Sequence, residues 1–275
     1  MWTLSGFADE ISPDLDEQCR VLNELGIGHI EFRSAWDTNV LDLDDDQLKA
    51  VAMTLATHGI RTSSIGSPIG KIGIRDAFDA HLARFERALH VAEFLEAPFV
   101  RIFSFFVPEN DTPDAYRDEV LRRMSALAKR AQGHPVTLLH ENEKEIYGDI
   151  PSRCLDIVES VGSPQLRLAW DAANFVQCGV RPHTEGYQML RPYVDYIQIK
   201  DAKLADGTVV PAGEGDGEVT ATVAALREDG FDGFFSMEPH LSAVGQFGGF
   251  SGPDLFAKAT HAFTAILEDQ GIDYR

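Results

Sequence analysis

Val136-Thr137-Leu138-Leu139-His140-Glu141-Asn142 is a short apolar run that ends abruptly in a carboxylate and an amide. A run of this length and composition fits a strand buried on both faces, as parallel strands are. The same form recurs along the chain. Leu168-Ala169-Trp170 ends in Asp171, Phe235-Ser236-Met237 ends in Glu238-Pro239-His240, and Tyr196-Ile197-Gln198-Ile199 continues into Lys200-Asp201. Because side chains alternate along a strand, Gln198 and Lys200 share a face. Eight strand candidates can be laid out, at residues 2–8, 28–33, 61–65, 99–103, 136–141, 166–170, 193–200 and 234–238. Their spacing of roughly 25 to 40 residues, with helix-period segments between, suits an eight-unit barrel of about 250 residues. The expected architecture is therefore α/β, a single (β/α)8 TIM barrel over residues 1–275.

The intervening segments carry helix punctuation. Ser12-Pro13 precedes Leu15, Cys19, Leu22 and Leu25 at helical spacing, with Gly26 where a C-terminal cap belongs. Thr112-Pro113 opens a helix ending near Gly133, Ile150-Pro151 precedes another, and Gly252-Pro253 leads into a last one that stops before Gly271. The longest irregular stretch, residues 201–218, is rich in Gly and Asp and reads as a functional loop. An open doubly wound sheet would share the alternation, but no GxGxxG follows the first strand and no GxxxxGK[ST] occurs.

The charge of −20, from 44 acidic against 24 basic residues, would repel a nucleic-acid backbone. Three cysteines without CxxC or Cys/His ligand spacing fit a reducing compartment. No run of 18 apolar residues occurs and the start lacks a basic segment before an apolar one, so no membrane is expected and the expected location is the cytoplasm.

In such a barrel the chemistry sits where strands end, so Glu141, Asp171 and Glu238 carry the information. Singly, each reads as a helix cap or a surface ion-pair partner. Together, three carboxylates at one mouth would repel one another unless a cation sat between them. Oxygen ligands favour Mg2+ or Mn2+, with Co2+ or Zn2+ as further options. The amide oxygen of Gln198 could be a fourth ligand, and Lys200 could offset remaining charge or bind a substrate oxygen. Arg33, Arg101 and the Ser67/Lys71 loop could recognise hydroxyls or a phosphate, or could instead pair with barrel acids. His183 and His240 lie near the mouth by position.

Several fragments, in order, match one family. They are Gly6-Phe7-Ala8-Asp9-Glu10, Ser64-Ile65-Gly66-Ser67-Pro68-Ile69-Gly70-Lys71, Arg101-Ile102-Phe103-Ser104, Leu139-His140-Glu141-Asn142-Glu143, Trp170-Asp171-Ala172-Ala173-Asn174-Phe175, Ile197-Gln198-Ile199-Lys200-Asp201, Gly213-Glu214-Gly215-Asp216 and Met237-Glu238-Pro239-His240. With them the chain resembles the sugar phosphate isomerase/epimerase superfamily, the xylose isomerase-like barrels that include ketose 3-epimerases, hydroxypyruvate isomerases and inosose dehydratases. The resemblance implies one divalent metal held by Glu141, Asp171, position 198 and Glu238, with Glu141 and Glu238 as the acid and base of proton transfer through an enediolate. It departs at Gln198, where the family has His, and at Asn174, which matches another family His and is expected beside the substrate. The implied ligand is a small sugar or sugar phosphate and the implied assembly a homo-oligomer. A dehydratase acting on a keto-sugar or keto-inositol is the alternative. An apurinic endonuclease would need more His ligands and a basic surface, and a non-catalytic sugar-binding barrel would have no use for three acids.

Overall fold

The computed structural model describes residues 1–242, 244–245 and 248–275. Its centre is a sheet of eight parallel strands: β1 (Thr3–Gly6), β2 (His29–Phe32), β3 (Arg61–Ile65), β4 (Phe99–Ile102), β5 (Thr137–Glu141), β6 (Leu166–Asp171), β7 (Val194–Ile199) and β8 (Phe234–Met237). The ladder runs β1-β8-β7-β6-β5-β4-β3-β2, so neighbours in sequence are neighbours in space and the sheet curls into a nearly closed barrel. Among the described residues no ladder joins β1 to β2. At that seam the backbone of β1 is met instead by the end of the chain: Trp2 and Leu4 N–H donate to Asp273 and Arg275 carbonyls at 2.8 Å, and Arg275 N–H donates to Trp2 at 2.9 Å.

Helices surround the sheet: α1 (Leu15–Glu24), α2 (Asp45–His58), α3 (Phe78–Phe94), α4 (Arg117–Ala131), α5 (Pro151–Val161), the short α6 (Ala172–Gln177), α7 (Val219–Glu228) and α8 (Pro253–Asp269). The expected punctuation is present at α5, with Pro151 in the first turn and Gly162 in the left-handed conformation at its end, and at the Pro253 start of α8. At α1 the cap lies later than the Ser12-Pro13 reading: the Asp14 carboxylate accepts from Glu17 N–H at 2.9 Å.

Alternation along each strand separates two cores. Leu4, Ile30, Phe32, Val100, Leu138, Leu168, Ile197 and Phe235 join the helices in the main apolar cluster. Leu139, Ala169 and Tyr196 form a separate cluster inside the barrel, with Phe99 and Phe234 packed against it. The Phe99, Tyr196 and Phe234 rings meet with centroids 5.8 to 6.1 Å apart and form the barrel floor. Above the floor lies a hydroxyl layer, where Ser63 Oγ meets Ser5 Oγ at 2.6 Å and the Tyr196 hydroxyl at 2.9 Å. Two residues further along the same inward faces stand the charges, as in Phe99 to Arg101, Leu139 to Glu141, Ala169 to Asp171, Tyr196 to Gln198 to Lys200, and Phe234 to Ser236 to Glu238.

Candidate active site at the barrel mouth

Glu141 ends β5, Asp171 ends β6 and Glu238 follows β8, and one carboxylate oxygen from each lies within 4.8 Å of the others. Asn142 fixes the first two side by side: its amide donates to the Asp171 carbonyl and its oxygen accepts from Asp171 N–H, both at 2.9 Å. Asp171 also caps α6 by accepting from Asn174 N–H at 2.8 Å, so the helix-cap reading of this acid and its place in the cluster are both true. The Asn174 amide nitrogen donates to Glu141 at 3.1 Å and to the Asn142 carbonyl at 2.9 Å.

Gln198, on β7, stands opposite Asp171 on β6 and opposite Ser236 on β8. Its side chain is buried, and neither amide atom has a hydrogen-bond partner among the described residues. Lys200, also buried, reaches Asp171 Oδ2 at 2.8 Å and Glu238 Oε2 at 3.0 Å, so its ion-pair partners are barrel acids. Arg101 Nη1 is 3.1 Å from Glu141 and 3.6 Å from Glu238. Arg33 Nε is 2.7 Å from Asp9 and its Nη1 is 3.2 Å from Glu238. Both guanidinium groups lie over the Phe7 ring, 4.6 and 4.7 Å from its centroid. Lys71 lies over Phe103 and pairs with Glu143 at 3.2 Å, whereas Ser67 Oγ donates to the Arg101 carbonyl.

Burial dominates the electrostatics. It pushes Glu141 up to about 8, with Arg101 opposing and Glu238 reinforcing the shift, and pushes Asp171 up to about 6 against the pull of Lys200. Burial acts on Glu238 too, but Lys200, His240 and Arg101 outweigh it and hold this carboxyl well below the usual range. Lys200 keeps its proton far above the ordinary lysine range because Asp171, Glu238 and Glu141 overcome its own desolvation.

His240 approaches Glu238 Oε1 at 3.4 Å. His183 packs its ring on Tyr187, centroids 5.1 Å apart, and among the described residues no hydrogen bond or ion pair joins it to the site acids. The sequence reading gave no role to Asp9 or Glu10, although both sit at the mouth in the turn Ala8–Glu10 after β1. Glu10 accepts from His240 N–H at 2.8 Å and from Ser251 Oγ at 2.9 Å, and burial pushes it up to about 8. Their signal was the same strand-end rule, displaced by Phe7-Ala8 beyond the strand.

No helix among the described residues is long and apolar enough to cross a membrane. A segment of 77 residues, 28% of this chain and 28% of the relative, is 36% identical to 2-epi-5-epi-valiolone 7-phosphate 2-epimerase of Actinoplanes sp.. The probable 3-DHS dehydratase AsbF of Bacillus anthracis has a similar fold, with TM-score 0.74 and 18% identity over 96% of this chain and 98% of that one. A xylose isomerase-like TIM barrel protein of Mycobacterium smegmatis, solved in complex with magnesium, gives TM-score 0.73 and 20% identity over 98% of this chain and 96% of that one. The model of the xylose isomerase-like TIM barrel family matches residues 19–260, the span that carries seven of the eight strands and Glu141, Asp171 and Glu238, and the chain belongs to that family.

Proposed function

We propose that the protein is a metal-dependent isomerase or epimerase of a small sugar or sugar phosphate. The observation that carries this reading is the convergence of Glu141, Asp171 and Glu238 beside a buried Gln198 amide that has no hydrogen-bond partner among the described residues. An all-oxygen donor set with an orphaned amide fits an oxygen-seeking divalent cation, Mn2+ or Mg2+, held by Glu141, Asp171, Gln198 and Glu238. When bound, such a cation supplies Lewis-acid stabilisation of negative charge on substrate oxygens.

The chain's own residues do the rest. Glu141 and Glu238 come from strands separated in the ladder by β6 and β7 and face the mouth from different sides. They take a proton from the carbon beside a carbonyl and return it elsewhere through an enediolate, each transfer contributing on the order of 10² to 10⁴ in rate. Lys200 and Arg101 fix the two carboxylates and present positive charge where the substrate oxyanion develops. Asn174 orients Glu141 through its amide hydrogen bond. The aromatic floor closes the barrel below, so the reacting carbon is met only from the mouth.

The test uses chelator-stripped protein resupplied with Mn2+, Mg2+ or Co2+ and a ketose panel in D2O, followed by proton NMR. Deuterium enters beside the carbonyl on the enediolate route, whereas loss of water with no exchange into recovered substrate makes the protein a dehydratase instead. Glu238→Gln should abolish exchange with the fold retained. Exchange that survives in this variant removes Glu238 from proton transfer.

A further inference from the structure

Glu10 is fully buried, and among the described residues no Lys or Arg lies within ion-pair distance of it. Its Oε2 is satisfied by His240 N–H and Ser251 Oγ, but its Oε1 has no hydrogen-bond partner among the described residues. Facing that oxygen is His240 Nε2, 3.3 Å away without the alignment of a hydrogen bond, and also without a hydrogen-bond partner among the described residues. The same nitrogen is 3.4 Å from Glu238 Oε1. Two orphaned donor atoms and a carboxylate oxygen therefore converge within 4.8 Å, a charge arrangement that a cation completes. Gly249 permits this pose, because a Cβ there would sit 1.7 Å from His240 Cδ2.

We propose that Glu10, His240 and Glu238 form a second divalent-cation site, with Glu238 bridging it through Oε1 to the site that its Oε2 faces. Arg33 and Arg101 lie 3.2 and 3.6 Å from Glu238 Oε1 and are the competing charges, but Arg33 is matched by Asp9 and Arg101 by Glu141. Six buried acids (Asp9, Glu10, Glu31, Glu141, Asp171 and Glu238) face three buried cations (Arg33, Arg101 and Lys200), a formal excess of −3 that one divalent ion reduces to −1 and two turn to +1. A bound oxyanion balances the latter. The imidazole makes this second site selective for Mn2+, Co2+ or Zn2+ over Mg2+, whereas the all-oxygen site accepts Mg2+ as well.

The site shares Glu238 with the proposed function but is tested without turnover. Metal-stripped protein is equilibrated with Mn2+ alone or Mg2+ alone, and bound metal is counted by elemental analysis. Pulsed EPR of the Mn2+ form reads imidazole nitrogen coupling. The expected result is two Mn2+ but one Mg2+ per chain, with imidazole coupling. His240→Ala and Glu10→Gln each drop Mn2+ to one, and His240→Ala loses the coupling. Asp171→Asn instead keeps one Mn2+ with the coupling, which separates this site from the first. Saturation at one Mn2+ without coupling, or coupling that persists in His240→Ala, overturns the proposal. Circular dichroism shows that each variant is folded.

Discussion

His140 and Glu141 are adjacent in sequence and opposite in fate. Alternation turns Glu141 into the mouth and His140 outward under α5, where it is buried, neither ring nitrogen has a hydrogen-bond partner among the described residues, and Gly148 lies so close that a Cβ there would be 2.3 Å from Cε1. Burial alone lowers its pKa from 6.5 to about 3. The folded state thus takes the proton less readily than the unfolded chain. The stability of the neutral form is complete above the free value of 6.5 and drains away as pH falls toward 3, by up to about 1.4 kcal/mol per pH unit. His140→Leu, which cannot titrate, should therefore gain stability relative to wild type between pH 6.5 and 4 in thermal melts, and a pH-independent difference would refute this. The same alternation made Glu141, Asp171, Glu238 and Lys200 legible in the sequence, because inward positions turn from apolar to charged in one step of two at Glu141 and Asp171, and through one uncharged polar residue at Lys200 and Glu238. Glu10 escaped because a turn intervenes after β1 and breaks the period on which that reading depends.

Among the elements, the loop after β7 shows how a single side chain can shape a long irregular segment. Asp201 accepts backbone N–H groups from Ala202, Gly213, Gly215 and Gly217 at 2.8 to 3.0 Å. A Cβ at Gly215 would lie 2.4 Å from its Oδ1, so glycine is what lets the loop wrap the carboxylate so closely. Residues 201–218 read as a functional loop from their Gly and Asp content, yet the knot at Asp201 was not legible, because it joins positions up to 16 residues apart. Asp201→Ala strands these donors and should cost about 1–3 kcal/mol. Hydrogen exchange should rise sharply at residues 213–217, and unchanged protection there would disprove the role. Strand and helix identities followed from periodicity, while ends such as the Asp14 cap of α1 were decided by local hydrogen bonds that several polar neighbours could have supplied.

For the molecule as a whole, eight units with no nucleotide-binding glycine motif already favoured a barrel over an open sheet, and the ladder order agrees. What periodicity could not convey is that the circle is completed differently at one place. Between β1 and β2 the wall is stapled in the middle through Ser63 of β3, which meets Ser5 of β1 and donates to the Ile30 carbonyl of β2, by Asp9 to Arg33 and Ser34 at the mouth, and by residues 273–275 against β1 at the base. Removing residues 273–275 strands the Trp2 and Leu4 N–H groups and should lower the melting temperature by roughly 3–10 °C. An unchanged melting temperature would show that the tail carries no weight.

The mouth staple has a second owner. Arg33 holds the seam through Asp9 and touches Glu238 with its other nitrogen, so whatever draws that guanidinium toward a ligand slackens the wall, and whatever tightens the wall withholds it from the ligand. Occupancy and rigidity are thus two readings of one balance, and a mutation made to stiffen this cask would retune its chemistry without touching a reacting atom.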